Sequence, residues 1–262
     1  MEREPFVRVL GSADWLPTPD NDGASYVIDD RILIDTGWSA AVNMINHGMD
    51  PTNIDTICFT HMHADHYIGL TQMLLHRRIR CGTLEGLTIL GPAPTVRAGF
   101  ERAFAYIFHD SYDVTAECKG LPLIVPLHDG DGYETEHYRI SVCDSDHAAP
   151  GLCYRFEHKR TGHAAGFTGD TRYRPEFGGF FKGCDLLIHE ASFGAGPLDP
   201  ERNRICKHSS AQEAAQVAQE AQVKRLLLTH AHCSHREAAV SAAQARLSIP
   251  VGWAEPWAVF PF

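Results

Sequence analysis

The chain has 262 residues, 44% hydrophobic and 21% charged. Those proportions suit a folded globular chain and exclude collagen-like, coiled-coil and disordered classes. Lys and Arg number 23 against 33 Asp and Glu, a formal charge of −10, which argues against a general nucleic-acid binder. No apolar stretch approaches the ~20 residues of a membrane span. MEREPFVRVL at the start lacks an apolar h-region behind a basic segment. The expectation is a cytoplasmic chain with no membrane partner. Eight Cys, at 58, 81, 118, 143, 153, 184, 206 and 233, form no CxxC and read as reduced thiols.

In chain order, Phe6 to Leu10, Ser25 to Ile28 and Arg31 to Asp35 are short β-like runs, with Asp29-Asp30 as a hairpin turn. Residues 39–49 have helical composition. Thr56 to Thr60 is an apolar run that leads into HMHADH, and a helical pattern follows from Tyr67 to His76. Leu87 to Leu90 is a strand. Residues 95–109 carry Phe100, Phe104 and Phe108 at helical spacing. The stretch on to Lys119, with Tyr106, Phe108, His109 and Tyr112, is either a helical flap over a site or a helix packed on a sheet. Leu123 to Leu127 and Tyr138 to Cys143 are strands. Leu152 to His158 and Ala164 to Thr168 form a hairpin across Lys159 to Gly162.

Leu186 to His189 and Arg225 to Thr229 are strands of the second half. Ser210 to Ala221 is a helix opened by a capping-box pattern, Ser210 to Glu213. GAGPLDPERNR before it reads as a loop. Ser234 to Arg246 is helical, and Pro250 to the end is a short tail with two Trp. No repeat or low-complexity linker interrupts the chain. The expectation is one domain over 1–262, an α/β sandwich of strands covered by helices.

The chain carries 16 His and no His run that would mark a tag. Their spacing is informative. His61-Met-His63-Ala-Asp65-His66 places four ligand-type side chains in six residues after a buried-looking strand. Buried without partners they would cost several kcal/mol in desolvation. Imidazole with carboxylate suits Zn²⁺, Fe²⁺ or Mn²⁺. His61 and His63, two apart, project to one side of an extended turn, and Asp65 and His66 point toward a second centre. His147 after ISVCD, Asp170 in FTGDT and His230 in LLLTH each stand just past an apolar run. One ligand-type side chain at each of several strand ends is what a two-metal site at one edge of a sandwich requires.

This ordered set resembles the metallo-β-lactamase fold superfamily over nearly the whole chain. The resemblance implies a four-layer αβ/βα sandwich. It implies that His61, His63 and His147 bind one divalent ion, that Asp65, His66 and His230 bind a second, and that Asp170 bridges them. Asp35 in LIDTG matches the early strand-end Asp that orients a ligand. VLGSADWLPTPDNDGASYVI, HEASF, KHSSAQEAAQVA and LLLTHAH are similar to the ribonuclease Z branch. That similarity implies a dyad of His208 and Glu190, which with Asp65 make the expected catalytic set. The branch's habit implies a homodimer. The chain departs from it in Asp35-Thr-Gly-Trp38. It departs again in the 22 residues from 148 to 169, which leave no room for a tRNA-gripping arm. Both departures and the acidic charge point to small or cyclic phosphodiesters, or an RNA end, rather than tRNA 3′ processing.

The expected mechanism uses a metal-bridging water, deprotonated near neutral pH, as nucleophile. His208, oriented by Glu190, protonates the departing alkoxide. The expected cofactors are two divalent ions, zinc first, with manganese or iron as the other choices. Competing readings are a lactone, thioester or β-lactam hydrolase, a mononuclear-iron dioxygenase, and a non-catalytic metal binder. Arg172 and Arg174 are candidate phosphate ligands or a solvated turn. Arg236 is placed only near the site, and His232 and His235 are read as non-ligands.

Overall fold

Period-two burial builds both sheets. The computed structural model describes residues 4–108 and 120–262. Strands β1 (Phe6–Ala13), β2 (Asp22–Gly23), β3 (Ser25–Ile28), β4 (Ile32–Ile34), β5 (Thr56–Cys58), β6 (Thr88–Pro92) and β7 (Leu123–Leu127) belong to the first sheet. Val7, Val9, Tyr26, Ile28, Ile32 and Ile34 face the second sheet, and Leu10, Val27 and Leu33 face outward into a helix-covered layer. Successive side chains of a strand point to opposite faces, so both faces here are buried. The second sheet holds β8 (Gly132–Glu134), β9 (Tyr138–Asp144), β10 (Leu152–His158), β11 (Ala164–Phe167), β12 (Leu186–Glu190), β13 (Leu226–Thr229) and β14 (Val251–Trp253). Its order follows the chain, and the last strand, β15 (Val259–Pro261), returns to pair with β1.

Helices cover both outer faces. α1 (Ala40–Asn46), α2 (Ala64–Tyr67), α3 (Leu70–Cys81) and α4 (Thr95–Ile107) belong to the first half. Met44, Leu70, Leu74, Val96 and Phe100 pack there against Leu33 and Ile57. α5 (Phe177–Phe180), α6 (Pro200–Cys206), α7 (Ala211–Glu220) and α8 (Arg236–Gln244) belong to the second half. Small Ala214, Ala215, Ala218, Ala239 and Ala243 let α7 and α8 lie close on Leu226 and Leu228. The result is the expected helix–sheet–sheet–helix sandwich. The capping box of α7 is present in both directions, Ser210 to the Glu213 backbone and Glu213 to the Ser210 backbone.

Three expectations are corrected. The C-terminal tail is two strands, β14 beside β13 and β15 beside β1, so each sheet is finished by the end of the chain. GAGPLDPERNR is not all loop: Asp199 accepts from the Glu201 and Arg202 backbones and Pro200 opens α6. The helix expected over Tyr67–His76 is two helices, with α3 running on to Cys81 and closed by Gly82.

Phe156 is fully buried in the layer between the sheets, edge-on to Phe167. Phe156→Ala is expected to cost about 3–5 kcal/mol by leaving a cavity there. Urea denaturation at unchanged slope measures it, and a loss below about 1 kcal/mol would mean that the layer repacks around the gap.

Candidate metal centre and active site

The carboxyl ends of the parallel strands meet at one edge of the sandwich. Asp35 follows β4, His61 follows β5, His147 follows β9, Asp170 follows β11, Glu190 ends β12 and His230 follows β13. Asp65 and His66 lie on α2, whose N-cap is the extended residue His63. Asp35 and His230 both have positive φ, 51° and 57°. Such a conformation costs a non-glycine residue of order 1 kcal/mol or more. It is placed where two side chains are aimed inward. Gly169 has φ 56°, and a Cβ there would lie 2.6 Å from Thr60 Cβ, so the turn that delivers Asp170 needs glycine.

All seven expected ligands come together. The ligand atoms of His61, His63, His147 and Asp170 lie within 4.8 Å of one another, and those of Asp65, His66 and His230 form a second such group. Asp170 reaches both. Its Oδ2 is 3.7 Å from His61 Nε2, 3.6 Å from His66 Nε2 and 3.9 Å from His147 Nε2, and its Oδ1 is 3.5 Å from His230 Nε2.

The outer ring nitrogens are tied down. His66 Nδ1 donates to Asp35 Oδ2 at 2.7 Å. Thr60 Oγ1 donates to the same carboxylate oxygen at 2.7 Å, so His61 Nδ1, 3.2 Å away, donates to the Thr60 oxygen. His147 Nδ1 donates to the Lys207 carbonyl at 3.1 Å. Ser192 Oγ donates to Glu190 Oε2, so His230 Nδ1 donates to the Ser192 hydroxyl oxygen at 2.9 Å. With Nδ1 so occupied, four imidazoles turn Nε2 inward, the nitrogen a metal would take. Burial holds the imidazoles of His61, His63 and His147 below their ordinary pKa. Burial opposes the charged form of His66 and His230 too, but the facing carboxylates, Asp170 with Asp35 at His66 and Asp170 with Asp65 and Glu190 at His230, together outweigh it and raise both. Burial would likewise raise the Asp170 carboxyl, yet the facing imidazoles hold it well below the usual range.

These residues fit divalent metal ions. His61 Nε2 and Asp170 Oδ1 are buried with no hydrogen-bond partner. His66 Nε2 and His230 Nε2 face each other at 3.2 Å, as do His147 Nε2 and His63 Nδ1. Inward lone pairs at that distance repel unless a cation lies between them, and an N/O donor set of this kind suits a divalent first-row ion.

Beside the ligands, His208 Nδ1 donates to Glu190 Oε1 at 2.9 Å. Glu190 is 1% exposed and also accepts the Thr171 N–H at 2.7 Å and the Ser192 N–H at 3.2 Å. Burial would lift its carboxyl, but His208, helped by His230, keeps it lowered. Burial would also lower His208, but Glu190 overrides it and raises the imidazole to about 9. His208 Nδ1 is 3.9 Å from Asp170, so the pair adjoins both ligand groups. Ser192 carries no expectation from sequence, although it lies within HEASF. Its hydroxyl joins Glu190 to His230.

Other candidates fall outside this cluster. Arg172 pairs with Asp146 at 2.5 Å and Arg174 donates to the Asp144 carbonyl. Arg236 pairs with Glu255, lies over Trp253 and lines a separate groove of about 860 Å³. His232 caps the turn at Ser234. Up to Phe108, the candidate flap is α4, packed against the first sheet with Val96, Phe100 and Ala103 buried. His109 and Tyr112 lie outside the described residues. The seven described cysteines are free thiols, and Cys118 also lies outside. Among the described residues no helix is long and apolar enough to cross a membrane.

A sandwich that gathers imidazoles and carboxylates at one strand edge, with a His–Glu pair beside them, is a metal-dependent hydrolase. Residues 30–231 match the family model described as the β-lactamase superfamily domain. The ribonuclease Z of Ligilactobacillus salivarius is 30% identical over 240 residues, covering 76% of this chain and 75% of that protein. That of Clostridium tetani is 26% identical over 274 residues, covering 86% and 87%. Among solved structures, the metallo-β-lactamase fold protein YhfI from Bacillus subtilis overlays with a TM-score of 0.81 at 22% identity, covering 99% and 100%; this likeness is one of fold. The chain belongs to the β-lactamase superfamily, in its ribonuclease Z-like branch.

Metal removal should be visible in stability. Ions that bind only the folded chain stabilise it by about 4 kcal/mol at a thousandfold excess over Kd. For a chain of this size that is about 10 °C in Tm. Exhaustive chelation is expected to lower Tm by about that much, with zinc add-back restoring it. An unchanged Tm after the metal has left would contradict this.

Proposed function

We propose that this single hydrolase domain is a two-metal phosphodiesterase, with zinc as the resident metal and a small or cyclic phosphodiester as substrate. An RNA end is the larger substrate of the same chemistry. His61, His63 and His147 would hold one ion and Asp65, His66 and His230 the other, with Asp170 facing both groups. Bound there, the ions would supply an activated water near neutral pH and neutralise charge on the phosphoryl oxygens.

The chain's own residues do the rest. Asp35, Thr60, Lys207 and Ser192 fix the ring orientations from behind. His208 keeps Nδ1–H on Glu190, which leaves Nε2 to deliver a proton to the departing ester oxygen. Glu190, oriented by the Thr171 and Ser192 N–H donors, stabilises the imidazolium. The observation that carries this reading is the 2.9 Å His208–Glu190 pair beside Asp170. A phosphodiester's poor leaving oxygen calls for such a donor. Thioester cleavage, which expels a stable thiolate, does not require it.

Metal analysis of the purified protein, with turnover of bis(p-nitrophenyl) phosphate beside a lactone and a β-lactam, tests the proposal. Near two ions per chain with phosphodiester turnover is the expected result. Ester or lactam turnover alone would place the chain among carbonyl hydrolases. One iron and no hydrolysis would overturn both.

A further inference from the structure

We propose that Cys143 and Cys153 are a reversible redox pair, a cross-strand dithiol that a peroxide closes to a disulfide and that supports the turn carrying Asp170 only while reduced. The pair stands outside the proposed reaction and does not depend on its substrate.

The two residues are direct partners in the β9–β10 ladder. Side chains opposite each other in a ladder share one face. Here that is the helix-covered face: Cys153 is buried with Ala164, Phe177 and Phe181, and half-buried Cys143 packs against the same layer. The Ser145 N–H donates to the Gly151 carbonyl at 2.9 Å, two positions along the same ladder. Val142 turns its N–H and carbonyl the other way, to Asp131 and Gly130. Cys143 and Cys153 are therefore a hydrogen-bonded pair of the ladder, for which Cα atoms lie about 5.5 Å apart. A disulfide accepts about 4.4–6.8 Å. The two thiols are already in hydrogen-bonding contact. Among the described residues no other two cysteines are ladder partners.

The pair supports the metal edge from behind. Cys153 Sγ donates to the Thr168 carbonyl at 3.2 Å. Thr168 is 1% exposed, and Thr168-Gly169-Asp170 is the turn that delivers Asp170. A disulfide sulfur has no hydrogen to donate, so closing the pair leaves that buried carbonyl short of a donor. Cys143 lies on β9, four positions before His147.

The chemistry balances with hydrogen peroxide as oxidant. The Cys143 thiolate, on the half-buried side, attacks one peroxide oxygen. The O–O bond breaks, hydroxide leaves, and Cys143 becomes a sulfenic acid. The Cys153 thiol then attacks that sulfur and water leaves, which forms the S–S bond. Two electrons pass from the sulfurs to the peroxide, and an added dithiol reverses the step by exchange.

The test treats metal-loaded wild type, Cys143→Ser and Cys153→Ala with hydrogen peroxide, removes it, and then adds dithiothreitol. Both cysteines fall in one tryptic peptide, 140–155, with no Lys or Arg between Arg139 and Arg155. In oxidised wild type that peptide is expected to resist alkylation and to be two hydrogens lighter, and dithiothreitol should reverse both. Zinc release to a chelator is expected to be about fivefold or more faster in oxidised than in reduced wild type, the scale of one lost buried hydrogen bond. Peroxide should not change that rate in Cys143→Ser, which keeps the Cys153 donor. Cys153→Ala should release zinc at the faster rate with or without peroxide. Amide hydrogen exchange over residues 164–172 is the second readout, and it should quicken on oxidation. A peptide that still takes two alkyl groups, or gains oxygen instead of losing hydrogen, would overturn the proposal. A disulfide that changes neither zinc release nor exchange at 164–172 would overturn it too. If the purified protein holds no zinc, the two-metal reading fails, and the peptide mass and hydrogen exchange still decide the redox pair.

Discussion

His208→Ala is expected to lower kcat for a phosphodiester with an alkoxide leaving group by about 10²–10⁴-fold, the usual worth of a positioned general acid. Metal content should not change. His208 is part-exposed, its Nδ1 is spent on Glu190, and the seven candidate ligand side chains do not need it for their orientation. The loss should fall on kcat more than on KM, because proton delivery matters only as the leaving oxygen gains charge. Glu190→Gln should fall in the same direction, and the double variant should add little, since the two residues act as one unit. A His208→Ala enzyme that keeps two ions and turns over within about threefold of wild type would remove the dyad from the mechanism.

Asp170→Asn is expected to release at least one ion per chain and to lower turnover by about 10³-fold or more, the equivalent of several kcal/mol of lost charge stabilisation. Asp170 is 4% exposed and faces imidazole nitrogens of His61, His66, His147 and His230. An amide is nearly isosteric, but it removes the negative charge and turns an NH₂ donor toward one set of lone pairs. Metal analysis and turnover on one preparation read both effects. Two retained ions with turnover within about tenfold of wild type would show that Asp170 does not join the two groups.

Both predictions rest on residues visible in the sequence, for a chemical reason. HMHADH concentrates rare ligand types in six positions, and FTGD and LLLTH each put one more ligand type after an apolar run. Strand periodicity was equally legible: Tyr138, Ile140 and Val142 are buried between exposed Arg139 and Ser141. The helix at 200–206 was readable as well. Asp199-Pro200 is a start signal, and it was outweighed by the Gly and Pro around it. The resemblance supplied His208 and Glu190 as a pair, and the 2.9 Å contact is the geometry that pairing needs.

What the chain could not show by itself was anything that depends on partners far along it. The three-residue strands β14 and β15 carry too little pattern to be seen alone, and β15 exists because β1, some 250 positions earlier, offers an open edge. Ser192 matters only because the ends of β12 and β13 lie side by side and bring His230 to its hydroxyl. Arg172 and Arg174 read from sequence as phosphate ligands or a solvated turn, and the fold pairs them instead with Asp146 and the Asp144 carbonyl. The identity of the ligating side chains is a local property, written in residue type and spacing. Their convergence is set by strand order and register, which hydrogen bonds between distant segments decide. For that reason the fold class, the seven candidate ligands and the reaction type could be read directly, whereas the ring orientations and the Ser192 link required the tertiary structure.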